Sequence, residues 1–244
     1  MELKNRVIII TGAAQRVGKA IAARLAEDSP KLVIHYNRSV VSARKFVREL
    51  QGKNVEAVAL QADLADPFQI RRLVAQTVDR FGTVDVLINN AAVFYRTPFP
   101  DISEHDWEKF MRVNLRAPFL LSREVSKIML EKGNGKIINI ADVGGIRPWA
   151  NFIPYSVSKA GLIMLTQALA KALAPKVTVN AVAPGPVLLP ENYTDEQKAI
   201  SSEQTLLKRV GNLRDVTEAI YFLLAGSDFM TGAVIPVDGG RAIL

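Results

Sequence analysis

Short, continuously apolar runs alternate with longer amphipathic stretches from one end of this chain to the other, and few folds accept that pattern. The runs Val7–Ile10, Lys31–Tyr36, Val55–Gln61, Val84–Asn89, Lys136–Ala141, Val177–Ala183 and Val234–Val237 are rich in Val and Ile. Strands that are apolar on both sides are covered on both sides, as in a parallel sheet. Gly18–Glu27, Val40–Gln51, Pro67–Phe81, Glu104–Lys132, Tyr155–Ala174 and Arg214–Leu224 read as helices. Parallel neighbours need crossover connections, and helices supply them. The 244 residues contain no linker, repeat or low-complexity tract, so a single domain over residues 1–244 is expected. Pro175 stops the sixth helix, because proline cannot continue the ladder. The polar stretch Pro190–Lys208 interrupts the alternation, and residues 186–210 are expected to form a lid over the strand ends.

Composition narrows the chemistry. Cysteine is absent and histidine occurs twice, at His35 and His105. A disulfide framework, a thiol nucleophile and a Cys- or multi-His metal site are therefore excluded. No apolar run reaches the ~18 residues of a membrane span. The opening Met1-Glu2-Leu3-Lys4-Asn5-Arg6 has no apolar signal core, so a cytoplasmic protein is expected. The net charge of +7 comes from 31 basic residues dispersed among 24 acidic ones. Without a basic run or stacked aromatics, nucleic acid is not the expected partner; a small-molecule substrate is.

The first strand runs into Thr11-Gly12-Ala13-Ala14-Gln15-Arg16-Val17-Gly18. Gly12 permits a tight turn, and Gly18 allows close packing of the helix that follows. The free N–H groups of that helix then face a pyrophosphate. This context predicts a Rossmann-type doubly wound sheet of seven parallel strands. NAD-binding folds place an acid near the end of the second strand to hold the ribose 2′-hydroxyl. Here the run is His35-Tyr36-Asn37-Arg38-Ser39, with no acid. Arg38 and Ser39, with Arg16 from the first loop, suit a 2′-phosphate, and NADPH/NADP+ is the expected cofactor.

Tyr155 and Lys159 lie four apart on a predicted helix and so share a face. An ammonium beside a phenol favours the phenolate, so Lys159 is expected to lower the Tyr155 pKa toward working pH. Pro118 cannot donate to the carbonyl of Asn114, so the long fourth helix should kink there.

Thr11-Gly12…Gly18, Asp63-Leu64, Asn89-Asn90-Ala91, Asn114, Tyr155-Ser156-Val157-Ser158-Lys159 and Pro184-Gly185 follow one another along nearly the whole chain. Together they resemble the short-chain dehydrogenase/reductase family. The resemblance implies a homotetramer and catalysis by Tyr155, Lys159 and Asn114, with Asn114 holding a water that leads to the lysine. It implies that Asp63 and Leu64 meet the adenine and that Asn89 and Ala91 support the cofactor. Val17 of the glycine loop joins the cofactor set, with His35 and Asn37 from the second strand end. Lys159 would hold the nicotinamide ribose, and Pro184 and Gly185 would flank the nicotinamide. The threonine usual after Pro-Gly is missing from Gly185-Pro186-Val187-Leu188-Leu189.

Thirteen residues before Tyr155, where the family usually has serine, stands Asp142. An ionised carboxylate cannot donate a hydrogen bond, and it repels a forming alkoxide. Reduction of a C=N bond asks instead for a proton on nitrogen, which a buried Asp142 of raised pKa can help supply. Asp at this position resembles the pteridine reductase branch of the family. So do Arg16 in the glycine loop, His35–Ser39, and Phe94, which would stack on a pterin. The resemblance implies NADPH-dependent reduction of a dihydropteridine or folate-like compound, with Arg16, Phe94, Asp142 and Tyr155 on the substrate. The alternative enzyme is a 3-oxoacyl thioester or other carbonyl reductase. A cofactor-sensing protein without turnover is the reading outside catalysis.

Overall fold

The computed structural model describes residues 1–189 and 193–244. Seven strands form one sheet: β1 (Val7–Ile10), β2 (Lys31–Tyr36), β3 (Ala57–Gln61), β4 (Val86–Asn89), β5 (Gly135–Ile140), β6 (Val177–Pro184) and β7 (Val234–Val237). Their order is β3-β2-β1-β4-β5-β6-β7, and every pairing is parallel. The expected strands at Val55 and Val84 begin two residues later, at Ala57 and Val86, while β6 runs one residue further, to Pro184.

Alternate side chains of β1 show why the runs are apolar throughout. Ile8 and Ile10 join a core with Ile21 and Leu25 of α1 (Arg16–Leu25), Phe46 and Leu50 of α2 (Val40–Gln51), and Val216 and Ile220 of α8 (Leu213–Tyr221). Ile9 points the other way, into a core with Leu73 of α3 (Pro67–Phe81), Leu121 and Val125 of α5 (Ala117–Lys132) and Leu173 of α6 (Ile153–Leu173). Both faces of the sheet are thus covered, as parallel sheets require.

Local chemistry sets several helix ends. The Asp66 side chain accepts from the N–H of Phe68 at 2.8 Å, Pro67 opens α3, and Gly82 closes it at φ +78°. Such caps satisfy backbone groups that the helix leaves unpaired. Inside the expected lid, α7 (Asp195–Glu203) begins with a reciprocal capping box between Thr194 and Gln197. The start of that lid, Pro190 to Asn192, lies outside the described residues.

The single helix expected over Glu104–Lys132 is three pieces. Between α4 (Glu104–Phe110) and α5 the chain widens into a π-helical turn, Met111–Arg116. The break falls immediately before Pro118, which lacks the N–H to continue the α-helical ladder. Among the described residues, no helix is long and apolar enough to cross a membrane.

Candidate active site

The strand order reverses direction between β1 and β4, and a cleft of about 900 Å³ opens at the carboxyl ends of the strands there. A reversal of this kind parts the two loops that follow the strands and leaves a ligand crevice between them.

At one end the cleft is made of backbone. Gly12 sits at φ +63°, and a Cβ on Gly18 would stand 2.4 Å from the Gly12 carbonyl oxygen. The loop can therefore close only around glycine. The side chain of Gln15 does not cap α1; it donates to Ser42 Oγ at 3.0 Å. The first-turn N–H groups of α1 thus have no side-chain cap, which suits a phosphate. Arg16 lines the cleft with φ +53°, left-handed backbone that costs a side-chain-bearing residue energy.

Asn90 locks this loop to β4. Its Nδ2 donates to the Thr11 and Gly12 carbonyls at 2.8 and 3.2 Å, while Thr11 Oγ1 accepts from the N–H groups of Asn90 and Ala91. Val17, Asn37, Arg38, Ser39, Asp63, Leu64, Ala91, Pro184 and Gly185 all line the cleft. His35 lines it too, but both ring nitrogens serve the protein. Nδ1 accepts from the Gly12 N–H at 3.1 Å, which leaves Nε2 to donate to the Ala62 carbonyl at 3.0 Å. Burial holds its pKa down to about 4, so the ring is a neutral brace.

Two expected site residues lie off the cleft. Asn89 is buried behind it; its Nδ2 donates to Asn139 Oδ1 at 2.8 Å, and Asn139 donates on to Thr166. The last strand residue faces the interior, and Asn90, the next one, reaches the loop. Asn114, on the π-helical turn, is also buried. Its Oδ1 accepts from the Val93 N–H at 2.8 Å, and its Nδ2 donates to the Val93 carbonyl and to Ser158 Oγ. It fixes the segment next to Phe94 rather than facing the cleft.

The other end of the cleft is made of side chains. Asp142 follows β5, while Tyr155 and Lys159 stand on α6. The Tyr155 hydroxyl donates to Asp142 Oδ2 at 2.8 Å, and the Gly144 N–H donates to Asp142 Oδ1 at 2.7 Å. Lys159 Nζ donates to the Ile140 carbonyl at 2.6 Å and lies 5.7 Å from the centroid of the Tyr155 ring. Tyr155 and Lys159 are buried and Asp142 is partly buried, and desolvation is the largest influence on all three. Desolvation raises the Asp142 pKa, opposed by the Gly144 amide and by Lys159. Desolvation lowers Lys159 to about 8.

Tyr155 departs from expectation. Its pKa stands well above 10, first through burial and then through the Asp142 carboxylate beside it. Lys159 does not reverse this. The phenol is held as a proton donor, not as a phenolate.

Aromatic rings wall this end. Phe94 stacks on Phe152 with centroids 4.9 Å apart and meets Tyr155 edge-on at 4.8 Å. Trp149 lies nearly parallel to Tyr155, 6.2 Å away. Sequence reasoning found Phe94 but missed Trp149, Phe152 and Arg241, which also line the cleft. Their segments have no periodicity that would predict where they point.

The short chain dehydrogenase family profile matches residues 6–200. A 3-oxoacyl-[acyl-carrier-protein] reductase of Synechocystis is 37% identical, over 99% of this chain and 98% of its own length. A blue fluorescent protein from a metagenomic library, solved in complex with NADPH, superposes with TM-score 0.92 at 35% identity, covering 99% of this chain and all of its own. FolM alternative dihydrofolate reductase 1 from Brucella canis, complexed with NADP, gives TM-score 0.93 at 31% identity over 100% of this chain and 96% of its own. The chain belongs to the short-chain dehydrogenase/reductase family, whose members are oxidoreductases that bind a nicotinamide cofactor.

Proposed function

We propose that this protein is an NADPH-dependent reductase of a C=N bond in a dihydropteridine or dihydrofolate-like compound. One observation carries the reading: the hydrogen bond from Tyr155 to Asp142, where the family usually has serine. NADPH, when bound, supplies hydride. Arg16, Arg38 and Ser39, with no carboxylate among them, suit its 2′-phosphate. A flat ring resting against Phe94 presents its C=N bond to Tyr155. Tyr155 gives a proton to the ring nitrogen, and Asp142, once it has taken up a proton from solvent, passes it back to Tyr155. Burial favours the neutral acid that this transfer needs. Lys159 stays cationic below about pH 8 and holds the ribose. Asn114 acts by fixing the Phe94 segment, and α7 belongs to the lid that covers the ring. The likeness to the alternative dihydrofolate reductase of Brucella canis supports a folate-like substrate.

The identity to the Synechocystis protein favours a second reading, reduction of a 3-oxoacyl thioester. NADPH absorbance followed with dihydrofolate and with an acetoacetyl thioester separates the two. Faster consumption with dihydrofolate is expected. Consumption with the thioester alone would mean that Asp142 tolerates an alkoxide, and the second reading would stand.

Phe119, Val157 and Met164, left exposed by α5 and α6, favour assembly into a homotetramer. Sedimentation at the mass of one chain would reject it.

A further inference from the structure

Arg241 lines the same cleft, yet nothing in the mechanism uses it. Its guanidinium lies 5.3 Å from the centroid of Trp149, and Trp149 in turn lies parallel to Tyr155. One aromatic ring therefore separates the proton donor from a fixed cation. Arg241 Nη2 donates to Gln204 Oε1 at 2.6 Å, just beyond α7. A guanidinium has five N–H donors, so one such bond leaves most of them open. Among the described residues Arg241 makes no ion pair. The acid nearest in sequence, Asp238, accepts instead from the N–H groups of Gly240 and Ala242, at 2.9 and 2.7 Å. Asp142 is engaged by Gly144 and Tyr155. Asp142 and Asp238 act on Arg241 through their charge, but neither pairs with it directly, and a half-buried arginine laid on an aromatic face keeps donors open to an anion in the cleft.

We propose that Arg241 determines specificity by binding a carboxylate on the tail of the substrate, one aromatic ring away from the bond that is reduced. This rests on the pteridine reading above. The substrate is then a pterin joined through an aryl spacer to an acid, not a bare pterin.

The test compares dihydrofolate with 7,8-dihydrobiopterin, which has the ring without the carboxylate. Arg241→Met should raise KM for dihydrofolate about tenfold and leave dihydrobiopterin within about twofold, the loss of one charge-assisted contact at a partly hydrated site. Gln204→Leu, which frees the guanidinium from its contact at the end of α7, should leave dihydrobiopterin within about twofold. An equal loss for both substrates, in Arg241→Met or in Gln204→Leu, would reduce Arg241 to a lid fastener and overturn the proposal. Calorimetric titration of the NADP+-saturated protein with p-aminobenzoyl-L-glutamate needs no turnover. Binding that disappears in Arg241→Met supports the proposal, and binding that persists overturns it. If the wild-type enzyme reduces neither pteridine, the reading of function fails, and the titration alone decides Arg241.

Discussion

At the phosphate end of the cleft a methyl group on Gly18 would collide with the Gly12 carbonyl, and recognition is left to backbone N–H groups. At the reaction end, Asp142, Tyr155 and Lys159 are side chains from two elements, and burial dictates their protonation. The first end works by excluding side chains, the second by desolvating them. A backbone site is indifferent to the identity of most neighbours but intolerant of volume. A side-chain site tolerates shape changes better than any change in charge or donor capacity.

Tyr155→Phe tests the second end most severely. It keeps the ring and its contacts with Phe94 and Trp149 but removes the proton donor. kcat should fall about a thousandfold. Cofactor affinity, measured by titration, should stay within about threefold, since the phosphate end is untouched. A loss of less than about tenfold would move the proton donor to Asp142 itself.

His35 sharpens the contrast, because here a titratable side chain serves the backbone end. Its pKa is near 4 when folded, against 6.5 for a free imidazole. Between these values the unfolded chain binds a proton that the folded chain refuses, so stability rises with pH. The contribution is fully present above pH 6.5 and is lost as pH falls toward 4, on the order of 3 kcal/mol. Urea unfolding at pH 5 and pH 7 should show a smaller difference for His35→Gln than for the wild type. An unchanged difference would assign the pH dependence to other groups.

Gly18→Ala probes volume at the backbone end. The added methyl should cost about 2 kcal/mol in urea unfolding and weaken the cofactor. kcat at saturating cofactor should survive, and a fall in kcat with unchanged stability would show that the two ends are coupled.

The same division explains what could be read in the residues. Glycine spacing, the missing acid in His35–Ser39 and the apolar runs are local signals, and the phosphate end and the sheet follow from them. Tyr155–Lys159 was visible as a helical pair, but its electrostatics were not. Whether Lys159 or Asp142 governs the phenol depends on distances and burial that no spacing records. Asn89 and Asn90 are adjacent in sequence and opposite in fate, because strand alternation sends one inward and the chain's exit sends the next toward Thr11. Trp149, Phe152 and Arg241 come from irregular segments whose directions are fixed by tertiary packing.

The π-helical turn at Met111–Arg116 bears on which insertions and deletions the chain can survive. Each helical residue turns the chain by about 100°. Deleting one residue here would restore α-helical regularity while rotating α4 against α5 by that angle. The Leu121 face of α5 would leave the sheet, or Asn114 would leave Val93. A stretch that looks irregular, and so dispensable, has a residue count as fixed as that of any strand in the sheet.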